Sequence, residues 1–263
     1  MRNIPTTIRL APAGVAAAGL WLGLAAGAPV SAQDQASALQ GWLRVDTVQV
    51  RPEKWLRYRE IERDEVAPVL QKTGIASRAA WRPAEFGNTY EVMLVTPISD
   101  FAFFDSGDLF GRVLDPARAE RLREKLRECI ASRQTTAIRQ RADLSVGETL
   151  RPFALVTTMS VAPGRGPEFE GFLKRTLPTM AKSGVVVGVY QRVFGAPAAW
   201  QIVENLDTLS DLALPGALER TFGPSEANRL TADVAGVITS IERRVYRFDP
   251  ELSFSFPARE PSR

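Results

Sequence analysis

The chain has 263 residues, of which 45% are hydrophobic and 24% charged, so it is long and apolar enough to bury a core. Its formal net charge is +3, and it contains one cysteine and no histidine. A single cysteine excludes an intramolecular disulfide, and the lack of histidine excludes Ser-His-Asp catalysis, Cys-His catalysis and the usual zinc sites. Any catalysis must therefore use carboxylates, Arg, Lys, Tyr or Trp.

Residues 1–32 have the pattern of an export signal peptide. Arg2 and Arg9 form a basic start, residues 15–28 are apolar and uncharged, and small residues precede Gln33. The apolar run is shorter than the roughly 20 residues of a membrane-spanning helix. We therefore expect cleavage near Ala32, a periplasmic or secreted protein and no stable membrane insertion, with a retained anchor as the alternative.

Cleavage would remove two arginines and no acid, which lowers the formal net charge from +3 to +1. The sequence has no concentrated basic face, so we expect no nucleic acid partner. Residues 33–41 are interpreted as a linker, and the polar tail 257–263 is expected to be disordered.

Residues 42–146 predict a β-α-β-β-α-β unit. Apolar and polar residues alternate along 43–50, which is typical of a half-buried strand, and a helical spacing then runs from Trp55 to Lys72 before Gly74. Pro68 should kink this helix or start its last turn. The remaining elements are predicted as strands at 75–82, 89–96 and 134–141 and a helix at 116–130.

Residues 147–256 predict the same order of elements again. Matching residues recur 110 positions apart, and further along the chain 108 apart. The pairs include Pro68 and Pro178, Lys72 and Lys182, Gly74 and Gly184, Arg82 and Arg192, the aromatic residues Tyr90 and Trp200, and Leu144-Ser145 and Leu252-Ser253. We interpret this as an internal duplication.

Each unit is expected to be ferredoxin-like, a four-stranded antiparallel sheet with both helices on one face. The uncovered faces of two such sheets can bury each other. We therefore predict an α+β protein whose two sheets pack face to face as an intramolecular pseudo-dimeric α+β barrel. A cavity between the sheets would be the natural binding site.

Strand parity selects six candidate ligand-lining residues for that cavity. They are Arg82, Tyr90, Tyr190, Arg192, Trp200 and Glu204. Aromatic walls with a cationic pair would suit an apolar or aromatic ligand bearing an acid group. The alternative is that the two arginines are exposed or paired, and that Tyr90 and Trp200 fill the core.

Three other sets of residues favour structural or surface roles. The acidic run 60–65 is typical of a solvated, self-paired helix face, so we predict no metal site. Cys129 lies in an apolar-periodic stretch and is expected to be a buried core residue. Trp81 and residues 101–104 form an aromatic patch that would cover the barrel end or meet a partner.

The chain resembles the dimeric α+β barrel superfamily, in particular its NIPSNAP-like and antibiotic-biosynthesis-monooxygenase-like domains. The resemblance rests on strands ending at Val50-Arg51-Pro52 and Val161-Ala162-Pro163, the proline-bearing helices with Lys-x-Gly ends, and the hairpins with Tyr90 or Trp200. It implies no catalytic signature that can be carried over. Haem members of the superfamily use a proximal histidine, which this chain lacks, so we expect no cofactor.

Three functions remain open at this stage. The first is binding of a small hydrophobic molecule between the sheets by an exported protein. The second is a cofactor-independent oxygenase or isomerase that uses Tyr, Trp, Arg or Glu, with an acid beside an arginine. The third is a structural or interaction protein with a filled interior, and an oligomer is compatible with each of them.

Overall fold

The computed structural model describes residues 41–98, 101–105, 107–147 and 150–255. The predicted signal peptide, almost all of the linker and the C-terminal tail lie outside the described residues. Across the described ranges, none of the helices combines the length and apolar character that a bilayer crossing requires.

The first unit has the predicted order of elements. Its elements are β1 (Trp42–Val50), α1 (Trp55–Ile61), α2 (Ala67–Lys72), β2 (Ala79–Pro83), β3 (Glu91–Ile98), α3 (Pro116–Cys129) and β4 (Ile130–Gln140). A π-helical turn, Glu62–Val66, joins α1 to α2. Pro68 is in the first turn of α2, where a missing backbone N–H is tolerated, so it starts the last segment of this helix as predicted.

The second unit repeats the order, with two α-helices instead of one before its last strand. Its elements are β5 (Phe153–Val161), α4 (Gly166–Lys182), β6 (Val187–Phe194), β7 (Ala199–Leu206), α5 (Ala217–Phe222), α6 (Pro224–Asp233) and β8 (Ile238–Phe248). The sequence pattern predicted α6 but not α5. Gly223, at φ 76°, separates the two and lets Pro224 begin α6.

The eight strands close into one antiparallel barrel in the order β1-β3-β2-β8-β5-β7-β6-β4. Each unit contributes four adjacent strands, and the units join at two seams. At one seam β2 pairs with β8 through residues 81–83, and at the other β4 pairs with β6 through residues 137–140. The predicted α+β barrel of two ferredoxin-like units is confirmed, and its sheets are joined edge to edge.

The helices pack outside the barrel in two separate cores. In the first unit, Tyr58 and Ile61 of α1 pack against the outward side chains of β1, such as Val50. In the second unit, Phe169 of α4 packs against Val187 and Val189 of β6. Cys129 is buried in the first core, as predicted, and burial raises the pKa of its thiol.

Each core is completed by a segment from the other unit. Residues 249–255, the second arm, follow β8 and place Leu252 and Phe254 in the first core, with a bridge between Phe254 and Arg78. Residues 141–147, the first arm, place Leu144 against the second core in the same way, with a bridge from the arm to β6. The two units therefore exchange their C-terminal arms.

One residue of the acidic run 60–65 departs from the solvated helix face that we expected. Glu62 is buried and forms a 2.8 Å salt bridge with Arg78, which is 3% exposed. Glu62 faces inward because the π-helical turn and α1 pack this side of the helix against β2 and the second arm. Glu60, Arg63 and Asp64 remain exposed and paired, as expected for the rest of the run.

Candidate ligand site in the barrel interior

The barrel encloses a cavity of about 310 Å³ to which all eight strands contribute. Its walls combine apolar and polar side chains, because inward positions of the strands alternate with outward ones and about half of the inward positions carry aliphatic, Trp or Met side chains. The apolar lining comprises Leu43, Val45, Ala79, Trp81, Met93, Val95, Ile138, Leu150, Ala154, Val156 and Val203.

Polar groups on β5, β6 and β7 enter the same cavity. Gln201 donates from Nε2 to Thr158 Oγ1 at 3.4 Å. Tyr190 lies over Gly188, where an added Cβ would meet the tyrosine ring at 2.8 Å, so glycine makes room for the ring. Arg192 donates from Nε to the Pro197 carbonyl oxygen at 2.8 Å, which fixes the direction of its guanidinium group.

A second polar group, the Glu91 cluster, consists of Glu91, Glu242, Arg244 and Tyr246. Arg244 contacts Glu91 Oε1 at 3.4 Å and donates from Nε to Glu242 Oε1 at 2.7 Å. The Tyr246 hydroxyl lies 3.5 Å from Glu91 Oε1. Burial, with the charge of Glu91, raises the pKa of Tyr246 to about 12, so the phenol is neutral at ordinary pH and can donate a hydrogen bond.

Of the six predicted lining residues, the structure places Tyr190 and Arg192 in the cavity wall and the other four outside the barrel. Arg82 forms a 2.7 Å salt bridge with Asp249. Tyr90 contacts the Trp55 ring, with 5.9 Å between centroids. Trp200 is buried against Phe169, and Glu204 pairs with Arg220 at 3.5 Å.

The displaced residues have two physical causes. Trp200 and Glu204 face outward because Tyr190 pairs with Gln201 in the β6–β7 hairpin, and Arg82 is displaced by an error of register in the predicted duplication. The ladders make Trp81 the counterpart of Tyr190, 109 positions away, and Met93 the counterpart of Gln201, 108 away. A shift of one residue moves a strand side chain to the opposite face. Arg82 therefore faces outward while Arg192 faces inward, although 110 positions separate them.

Sequence reasoning missed the Glu91 cluster and misplaced Trp81. The signal for the cluster was present as period-two spacing along β8, where Glu242, Arg244 and Tyr246 face inward. Trp81 lines the cavity instead of joining the aromatic patch. The ring of Phe101 contacts Trp42 at 4.7 Å outside the barrel, so this part of the patch lies on the surface.

The cavity does not fit a histidine-ligated haem. The sequence contains no histidine, so the proximal ligand that the resemblance implies for haem members has no counterpart. Nowhere in the described ranges do three His, Cys, Asp or Glu side chains come together as a metal-binding group. The polar groups that the cavity wall itself offers are phenols, guanidinium groups, carboxylates and amides.

Comparison with solved structures supports the fold. A candidate monooxygenase from Lactobacillus acidophilus superposes with a TM-score of 0.51 at 10% identity, covering 80% of this chain and 94% of that one. An anthrone oxidase-like protein gives 0.50 at 14% identity, with 84% and 94% covered. Chlorite dismutase from Candidatus Nitrospira defluvii gives 0.51 at 10% identity, with 83% and 96% covered.

No protein-family model matches the chain, and no curated protein matches its sequence. The structural similarities extend over most of the chain and over nearly all of each similar structure. At these levels of identity the similarity concerns the fold. The chain has the dimeric α+β barrel fold, with both halves of the barrel contributed by a single polypeptide.

Proposed function

We propose that the protein binds a small, mainly apolar molecule inside the barrel. The observation that carries this proposal is the cavity of about 310 Å³. Protein interiors are close-packed and contain few voids larger than a water molecule, whereas ligand pockets begin at about 300 Å³. Apolar walls with a few convergent polar groups are the usual composition of such pockets.

The lining favours a flat or aromatic ligand over a flexible polar one. Trp81, Tyr190 and Tyr246 supply aromatic surface, and Met93 supplies an adaptable thioether. Burying apolar ligand surface here gains about 25 cal/mol per Å², before the cost of association is subtracted. An apolar molecule therefore gains most of its affinity from these walls.

The test is a fluorescence titration with N-phenyl-1-naphthylamine, an uncharged aromatic probe that brightens in apolar surroundings. Val156 lies in the cavity wall, so Val156→Phe should fill the space and weaken probe binding at least 10-fold. Ile241→Phe is the matched control, because Ile241 is on the same pair of strands but 56% exposed outside the barrel. Equal binding by both variants, or no binding by the wild-type protein, would refute the proposal.

We also propose that the protein is exported and loses its first 32 residues. The support is the basic start, the uncharged apolar run and the small residues that end at Ala32. Expression of the full chain with fractionation should recover a protein that begins at Gln33 by mass spectrometry. A full-length product in the cytoplasm would refute export.

A second candidate function is cofactor-independent oxygenation or isomerisation, and the Glu91 cluster favours it. It places the neutral Tyr246 phenol in the cavity wall with the buried Glu91 carboxylate behind it, 3.5 Å from the hydroxyl, an arrangement that can relay a proton from a bound phenol or enol through Tyr246 to Glu91. Similar solved structures include a candidate monooxygenase and an anthrone oxidase-like protein.

Oxygen uptake with anthrone as substrate tests this second function. Glu91→Gln should abolish any activity, because it removes the proton acceptor. Glu85→Gln is the matched control, because Glu85 is 59% exposed and pairs only with Arg247 in the described structure. Absence of oxygen uptake and of isomerisation by the wild-type protein would leave binding as the function of the cavity.

A further inference from the structure

The two units contribute chemically different halves to the cavity wall. The duplication pairs each inward residue of the first unit with one of the second, at positions fixed by the strand ladders. The pairs that differ include Leu43 and Ala154, Ala79 and Gly188, Trp81 and Tyr190, Met93 and Gln201, Gln134 and Glu242, Thr136 and Arg244, and Ile138 and Tyr246. In each of the last five, the second unit carries the more polar or hydroxyl-bearing side chain.

This divergence removes the two-fold equivalence that a barrel of identical halves would have. Identical halves would offer the same surface to a ligand in two opposite orientations. Here the first unit contributes Trp81, Met93 and Ile138 where the second contributes Tyr190, Gln201 and Tyr246, and both guanidinium groups of the lining come from the second unit. A ligand with one apolar end and one polar end therefore meets its complement in one orientation only.

Arg192 identifies the charge that the polar end of the ligand would carry. Strands β2 and β6 correspond with an offset of 109 residues, so the counterpart of Arg192 in the first unit is Pro83. The first unit therefore has no equivalent cation. Arg244 is neutralised by Glu91 and Glu242. Arg192 is held by the Pro197 carbonyl and forms no salt bridge within the described part of the chain. A half-buried cation without an anionic partner favours an anionic ligand.

The position of Arg192 in the barrel also gives the ligand a direction. Arg192 pairs with Ile138 at the β4:β6 seam, and Trp81 pairs with Phe248 at the β2:β8 seam. These two seams lie on opposite sides of the closed barrel, because four strands lie between them in either direction. Arg192 and Trp81 therefore face each other across the cavity.

We propose that the ligand is an aromatic or apolar monoanion, such as a carboxylate, bound in one orientation. Its anionic group lies at Arg192 with Tyr190 and Gln201 beside it, and its apolar body extends toward Trp81 and Met93. This proposal rests on the binding function proposed above. It adds the charge of the ligand and the orientation in which it binds.

The test compares 1-anilinonaphthalene-8-sulfonate, an anion, with N-phenyl-1-naphthylamine, which has the same rings and no charge. Arg192→Gln should weaken binding of the anion about 10- to 100-fold and change the neutral probe less than about twofold. Arg139→Gln is the control, since Arg139 is exposed on β4 and faces away from the interior. Met93→Gln should weaken both probes, because it makes the apolar half polar.

Arg192→Lys keeps the positive charge and serves as the second variant if Arg192→Gln folds poorly. Its affinity for the anionic probe should lie between those of the wild type and Arg192→Gln. If Arg192→Gln affects both probes equally or neither, the anion assignment is wrong although the cavity still binds ligands. If the wild-type protein binds neither probe, the binding function itself fails.

Discussion

Leu252→Ala is expected to destabilise the whole protein, although Leu252 lies in a short segment near the end of the described chain. Leu252 is 1% exposed and sits among the residues of the first core. Truncation of a fully buried leucine to alanine costs ~2 to 5 kcal/mol, from lost apolar burial and from the cavity that remains. The cost falls on a core that belongs to the other unit.

The equivalent substitution in the first arm, Leu144→Ala, should cost a similar amount, because Leu144 is 3% exposed in the second core. Since each arm spans both units, each variant should unfold in one transition. Urea unfolding followed by tryptophan fluorescence and by far-UV circular dichroism measures both the free energy and the coincidence of the two signals. Leu56→Ala is the control, at 74% exposure, and should change the free energy of unfolding by less than about 0.5 kcal/mol.

A loss below about 1 kcal/mol for Leu252→Ala would show that the second arm does not hold the first core together. Two separated transitions, with only one of them shifted by each variant, would show that the units unfold independently. Either result would refute the arm exchange as the link between the two units.

Arg78→Met should lower the free energy of unfolding by ~3 to 5 kcal/mol, since it leaves the buried Glu62 carboxylate unpaired, and the double variant Glu62→Leu/Arg78→Met should recover most of it in urea unfolding. Tyr246→Phe should change the pH dependence of stability. With a raised pKa in the folded protein, Tyr246 contributes stability that is complete below pH 10.0 and is lost as the pH rises toward about 12, so the wild type should lose roughly 3 kcal/mol relative to the variant in that window. A constant difference across this window would contradict the burial of the phenol. Gly195→Ala should destabilise by more than about 1 kcal/mol, because a Cβ at φ 85° would clash with the Thr135 carbonyl oxygen, whereas Gly216→Ala has open space and should be nearly neutral.

The sequence predicted the duplication and the barrel because both depend on patterns that tolerate small errors. An error of one or two residues in the element bounds does not change these patterns. They are the alternation along β1 and β5, the helical spacing along α1 and α4, and the glycines after α2 and α4. The exchange of arms was visible only as the matching pair Leu144 and Leu252, whose recurrence does not say which core each enters.

The candidate site was predicted less well because the face of a strand residue depends on a single position. Trp81 lies seven residues after Gly74, whereas its counterpart Tyr190 lies six residues after Gly184, which changes the offset from 110 to 109. Another residue in the β2–β3 hairpin changes it to 108. Arg82 and Arg192 are thus matched in the sequence, 110 positions apart, but lie on opposite faces of their strands. Only the pairing of the strands reveals this difference.

The most direct test of the account is a crystal structure of the purified protein with 1-anilinonaphthalene-8-sulfonate. We predict one probe per chain inside the barrel, with its sulfonate within hydrogen-bond distance of Arg192 and its rings toward Trp81 and Met93. A barrel interior closed by side chains, with the probe bound only on the outer surface, would contradict the claim that the interior is the ligand site.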